Sequence, residues 1–239
     1  MASERKASSS VELRKMLSEV EVDVVGVARL ADWTRTKLED TALRLLPEAR
    51  SVVVFAMEIY SEVLDLTTGE RVTGAASMND LLERHQEYFA GRLTKAAYDI
   101  SKASRKLGFK ALPLPGQGCP RDARFFEAVF SYKHAAQAAA LGKIGWHSLV
   151  ISPRFGPRVQ FSCCLTEAEL KPTDILPVAL KCGSCHICLD NCPARALTEP
   201  DDGAAYSINK FACGSFRSAA GGCSECMRLC PMGRKSKRL

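Results

Sequence analysis

Eight of the eleven cysteines fall within the last 58 residues of this 239-residue chain, and their spacing constrains the fold more than any other feature. The first run is Cys182-x2-Cys185-x2-Cys188-x3-Cys192-Pro193. Three thiolates at three-residue intervals can wrap a tight loop around one corner of a metal cluster, while a fourth, set further on, points elsewhere. Proline after the fourth closes the turn without an N–H that would go unpaired. The second run is Cys213-x9-Cys223-x2-Cys226-x3-Cys230-Pro231. It ends with the same x2, x3, proline signature, but an insertion displaces its leading cysteine upstream. A zinc ribbon also uses CxxC pairs, yet gives no reason for the C-x3-C-P endings.

The spacing is that of bacterial ferredoxins, in which the fourth cysteine of each run ligates the other cluster. One [4Fe–4S] cluster is therefore expected on Cys182, Cys185, Cys188 and Cys230, and a second on Cys192, Cys213, Cys223 and Cys226. The chemistry this implies is electron transfer at low potential. Cys119, Cys163 and Cys164 have no ligand-like spacing. Cys163 and Cys164 adjoin on one expected strand, face opposite sides of it and read as packing residues.

A dense cysteine block after an ordinary apolar region differs from a secreted disulfide scaffold, which is short throughout. Residues 1–10 are basic and serine-rich with no apolar stretch after them and no twin-arginine pair, so they read as a disordered leader and the cytoplasm is expected. The hydrophobic fraction of 46% fits a globular core, and no run approaches the roughly 18 apolar residues of a membrane helix. Net charge is +6, but two thiolate-ligated clusters would each add roughly −2, bringing the loaded protein near neutral. That argues against a nucleic-acid partner. The basic stretch at residues 233–239 reads as a solvated tail.

Upstream, Val11–Val20 shows helical periodicity, and strands are expected over Asp23–Ala28, in the buried run ending at Met57, and over Phe109–Leu114. Thr67–Thr73 carries turn chemistry, and a long helix is expected from Asp80 to about Leu107. Phe126–Leu141 reads as a helix whose alanines suit either tight packing or a flat cofactor. A glycine-punctuated turn then leads to a strand at Ile151, a hairpin turn follows over Pro153–Arg158, and Val159–Leu165 returns. The alternation predicts an α+β fold. Residues 11–175 form the first domain and 176–232 a small ferredoxin-like one.

The stretch from Lys133 to Pro157, KHAAQAAALGKIGWHSLVISPRFGP, resembles the core motif of the epoxyqueuosine reductases and reductive dehalogenases. The resemblance covers roughly residues 11 to 232 and is most pronounced from Tyr132 to Pro231. It implies a nitroreductase-like α/β domain that cradles a cobalamin, followed by the ferredoxin-like domain, with electrons passing from an external donor of ferredoxin or flavodoxin type through the clusters to cobalt. A small-molecule substrate would then be reduced while a nearby acid supplies a proton.

Carried over to this sequence, the resemblance places Gly142, Gly145, Trp146, His147, Ser148 and His134 near the cofactor. Tyr132, Glu127 and Asp122 are the candidates for the acid. The family's upstream aspartate has no counterpart here, and Lys143 and Trp146 have exchanged places relative to its Gly-Trp-x-Gly-Lys order. No repeat domain for tRNA follows, so queuosine synthesis is not expected. The rival reading is a ferredoxin-type module without cobalamin that delivers electrons to an acceptor protein. A flavin in the nitroreductase-like pocket is a third.

Overall fold

The structure, a computed structural model, describes residues 2–67, 75–174 and 179–232. The expected turn from residue 68 onward, the expected boundary between residues 175 and 176, and the basic tail lie outside the described residues. In chain order the helices are α1 (Ala2–Met16), α2 (Lys37–Leu45), α3 (Ser61–Leu66), α4 (Ala75–Lys106), α5 (Tyr132–Ala138), α6 (Ile187–Asp190), α7 (Lys210–Ala219) and α8 (Glu225–Arg228). The strands are β1 (Val24–Arg29), β2 (Ser51–Glu58), β3 (Ala111–Pro113), β4 (Arg121–Asp122), β5 (Glu127–Ala128), β6 (Lys143–Ile144), β7 (Val150–Ile151), β8 (Val159–Thr166), β9 (Leu197–Thr198) and β10 (Ser207–Ile208).

The chain groups into two units. One comprises Met1–Met57, Tyr88–Leu141 and Gln160–Leu176; the other comprises Glu58–Glu87, Gly142–Val159 and Pro177–Leu239. This differs from the linear division expected from the sequence, because the glycine motif at Gly142–Val159 groups with the cysteine block. The reason is local: the motif forms its own two-residue ladder, β6 on β7, and is not part of the four-stranded sheet.

The first unit is built on that sheet, in the order β1-β2-β8-β3. Val52 through Phe55 are fully buried, as a strand covered on both faces requires, and this is why the sequence there runs apolar without alternation. On one face, Val53 and Phe55 meet Val27 of β1, Leu13 and Leu17, and the α4 stripe Leu93, Ala97 and Ile100. Spacings of four and three residues put those helical side chains on one side. Cys164 belongs to this core and Cys163 is equally buried, both with thiol pKa values pushed up by burial.

Two sequence expectations are corrected here. The residues read as a disordered leader are helical from Ala2, since no Gly or Pro interrupts the run and Leu13 anchors its end in the core. The alanine-rich helix starts at Tyr132, not at Phe126, because Phe126 has φ +49° and β4 and β5 pair across it. Its small residues serve close packing. Ala135, Ala136 and Ala139 are fully buried, and a Cβ added to Gly26 of β1 would lie 2.5 Å from the Ala139 carbonyl oxygen.

In the second unit the regular elements are short: the β6–β7 and β9–β10 ladders, four-residue α6 and α8, six-residue α3 and ten-residue α7. Among the described residues no helix is long and apolar enough to cross a membrane.

Candidate functional site

The cysteine-bearing loops are shaped by backbone turns. Cys182 opens a 3-10 turn closed by the Cys185 N–H on the Cys182 carbonyl at 3.1 Å, and His186 follows in a left-handed conformation with φ +46°. Cys188 rides on α6, with Cys192 just beyond it. Cys213 lies within α7, whose first turn is capped by Asn209 accepting from the Phe211 and Ala212 N–H groups at 3.1 and 3.0 Å. The nine-residue insertion is thus mostly helix. Cys226 lies on α8, which packs against α6.

The charges acting on each thiol sort the cysteines. Burial first, then Cys182, Cys230 and Cys185, raise the Cys188 pKa to about 11. Cys230 is raised by burial and again by Cys182 and Cys185. Cys223 is raised by burial, then by Glu225, Cys213 and Cys192. Cys226 is pushed up to about 12 by burial, then by Cys223, Cys213, Cys188 and Cys192. Cys182 and Cys185 thus act on both Cys188 and Cys230, and Cys213 and Cys192 act on both Cys223 and Cys226, while Cys188 also acts on Cys226 and links the two expected quartets.

Such thiols resist ionising together unless positive charge lies among them, which iron supplies. Backbone N–H groups already point at the sulfurs: Ala196 on Cys192 at 3.3 Å, Glu225 on Cys223 and Met232 on Cys230. Among the described residues no three His, Cys, Asp or Glu side chains converge tightly enough for a single metal ion. The fit to iron–sulfur groups rests on the donor chemistry: eight thiols in one unit, three of them already facing backbone N–H groups.

The glycine-motif candidates lie beside these loops in the same unit. The Trp146 and His186 rings are stacked, with centroids 5.3 Å apart and planes at 16°, so Trp146 covers the loop between Cys185 and Cys188. His186 Nε2 also lies 3.2 Å from Glu199. Gly142 and Gly145 leave room for Ile151: a Cβ on Gly142 would sit 2.3 Å from its carbonyl oxygen, and one on Gly145 would sit 2.6 Å from its side chain. Ser148 adopts φ +66° and closes the turn with its N–H on the Gly145 carbonyl at 2.8 Å. His147 is 3% exposed; its Nδ1 accepts from the Leu149 N–H at 3.1 Å, and its Nε2 is buried with no hydrogen-bond partner among the described residues.

The remaining candidates belong to the first unit. Asp122 and Glu127 face each other across β4 and β5, each balanced by its own cation: Arg124 at 2.7 Å from Asp122, and Lys37 on Glu127. Arg124 holds the Asp122 carboxyl below its usual range, so Asp122 is an acceptor at neutral pH, with no proton to give. Tyr132 donates to the Pro115 carbonyl at 2.6 Å and receives the Cys119 thiol at 3.5 Å, and burial raises its phenol pKa. His134 shares a 2.8 Å hydrogen bond with Ser131 Oγ, and burial, then Lys133 and Lys37, lower its pKa. A broad depression in this unit is lined by Arg14, Arg29, Arg50 and Lys171 and by none of the candidates.

Two contacts were not read from the sequence. His186 sits inside a cysteine run, where only its aromatic ring signalled a stacking role. Arg158 is 3% exposed and donates to the Met232 carbonyl at 3.0 Å, tying the glycine-motif segment to the residue two beyond Cys230. A charged residue entering an apolar strand was its signal.

No family model matches the chain. It is 29% identical over 239 residues to a tetrachloroethene reductive dehalogenase of Desulfitobacterium hafniense, covering 92% of this chain and 38% of that protein. It is 24% identical over 201 residues to the epoxyqueuosine reductase of Bacillus subtilis, covering 80% of this chain and 49% of that one. The chain therefore spans half or less of the length of both relatives. A solved reductive dehalogenase, described for B12-dependent dehalogenation, shares the fold with a TM-score of 0.64 at 18% identity, over 90% of this chain and 30% of that one. The chain is thus similar, over most of its length, to proteins of the reductive dehalogenase and epoxyqueuosine reductase types.

Proposed function

We propose that this chain is a cytoplasmic iron–sulfur reductase of the epoxyqueuosine reductase-like class. Each cysteine quartet would hold one [4Fe–4S] cluster, and an external low-potential donor of ferredoxin or flavodoxin type would deliver electrons for reduction of a small-molecule substrate at a cobalamin. The architecture that goes with this reading is a nitroreductase-like domain with a ferredoxin-like one. The observation that carries it is the pair of Cys-x2-Cys-x3-Cys-Pro endings in one unit, at Cys185–Pro193 and Cys223–Pro231, with backbone N–H groups on the Cys192, Cys223 and Cys230 sulfurs.

The residues have definite parts in this reading. The thiolates bind iron, and the N–H groups of Ala196, Glu225 and Met232 stabilise the electron-rich sulfurs. A bound cobalamin would supply the cobalt-centred reduction. The orphaned His147 Nε2–H is a donor that an acceptor on such a group would satisfy. Tyr132 keeps its proton at the phenol oxygen, because burial disfavours phenolate, and would release it only to a strong base formed late in the reaction.

A second reading is favoured by the Trp146–His186 stack and by the ionised Asp122. Here the glycine motif serves the cluster loop, and the chain relays electrons to an acceptor protein without cobalamin. Anaerobic purification with cobalamin supplied, followed by iron and cobalt analysis and a visible spectrum, separates the two. About eight irons and one cobalt per chain support the reductase. About eight irons without cobalt favour the relay, and zinc in place of iron sinks both.

A further inference from the structure

Arg158 is a buried guanidinium, and such a group is rare inside a protein unless something there needs its charge. Its side chain donates to the Met232 carbonyl at 3.0 Å. The Met232 N–H in turn donates to the Cys230 sulfur. Gly156, two residues before Arg158, lies against the same carbonyl so closely that a Cβ there would stand 1.9 Å from it. Arg158 is thus fixed beside one ligand of one quartet, and its charge favours the thiolate of Cys230.

The other quartet has a different environment. The non-cysteine charge that acts on Cys223 is Glu225, an anion whose carboxylate is paired with Arg228 at 2.6 and 3.2 Å, and the charges acting on Cys226 are those of other cysteines, so among the described residues no unpaired cation acts on either thiol.

We propose that Arg158 makes the cluster held by Cys182, Cys185, Cys188 and Cys230 the easier of the two to reduce. The inference rests on the cluster reading above and adds an order to it. Reduction of a cluster takes one electron from the donor and makes the thiolate-ligated group one unit more negative. A guanidinium keeps its proton throughout and stabilises the reduced form from a fixed position. The first electron therefore settles on the Arg158 side, and the second cluster, beside Glu225, stays oxidised to lower potential.

The test is an anaerobic redox titration with dithionite as reductant, followed by electron paramagnetic resonance on the iron-loaded protein. The parent, R158K and R158Q are compared, with iron content measured first. Two reduction steps are expected in the parent, separated by more than tenfold in equilibrium constant, about 59 mV for one electron. In R158Q the upper midpoint falls by at least that amount while the lower one holds, and R158K restores most of the shift. Full iron content with both midpoints unmoved in R158Q overturns this assignment and leaves the cluster reading intact. Coincident midpoints in the parent overturn it as well, even where R158Q fails to load iron. A parent without about eight irons fails the cluster reading itself, and this assignment with it.

Discussion

His147 shows how one residue's surroundings set a measurable property. Its Nδ1 accepts a hydrogen bond, so the neutral ring carries its proton on Nε2, which is buried without a partner among the described residues. Burial lowers its pKa from 6.5 to about 4. The unfolded chain therefore takes up a proton as pH falls below 6.5, and the folded chain does not until about pH 4. Stability from this residue is present above pH 6.5 and is lost as pH drops toward 4, at about 1.4 kcal/mol per pH unit, or about 2 kcal/mol by pH 5. His147→Asn keeps an acceptor for the Leu149 N–H and removes the titration. Anaerobic chemical denaturation of both proteins at pH 7 and pH 5 should show the parent losing about 2 kcal/mol more than the variant. Parallel losses would mean that His147 is not held neutral by the fold.

At the scale of the element, Gly156 and Gly221 make a matched pair. Both have positive φ, +60° and +64°, so alanine at either site costs about 1–2 kcal/mol of backbone strain. Around Gly221, which follows α7, an added Cβ meets nothing within 4 Å, whereas at Gly156 it would strike the Met232 carbonyl. Gly156→Ala should therefore displace the segment that hydrogen-bonds Cys230, lower the denaturation midpoint well below that of Gly221→Ala and lose iron faster. Equal behaviour of the two variants would show that the Gly156 approach does not hold the Cys230 loop.

The same elements show what the sequence made legible. β1, β2, β8 and the long helix α4 were readable because each buries an apolar pattern several residues long. The cysteine runs stand out in the sequence because their spacing is local, and the metal they would hold belongs to the proposal above. The β6–β7 ladder was not, since two-residue strands have no periodicity. Nor was the start of α5, set by the turn at Phe126, nor the stack of Trp146 on His186, forty residues apart in the chain.

For the whole molecule, the two units differ in what holds them folded. The first has a four-stranded sheet and an apolar core reaching from Leu13 to Leu170. The second contains eight of the eleven cysteines and, among the described residues, two-residue ladders and helices of four to ten residues besides its part of α4. Helices shorter than about 12 residues and lone two-stranded ladders are marginal in water. Where ligands are brought together only in the folded state, metal binding is itself folding free energy. Stripping iron by anaerobic chelation should thus unfold the second unit selectively. Hydrogen exchange read by mass spectrometry should show peptides from 182–230 exchanging within the dead time after chelation. Peptides from β1, β2 and β8 within the first unit should keep their protection, because Val53, Phe55 and Leu165 stay buried without metal. Collapse of protection in both units together would show one cooperative structure, and unchanged protection over 182–230 would show that the cysteine loops fold without iron.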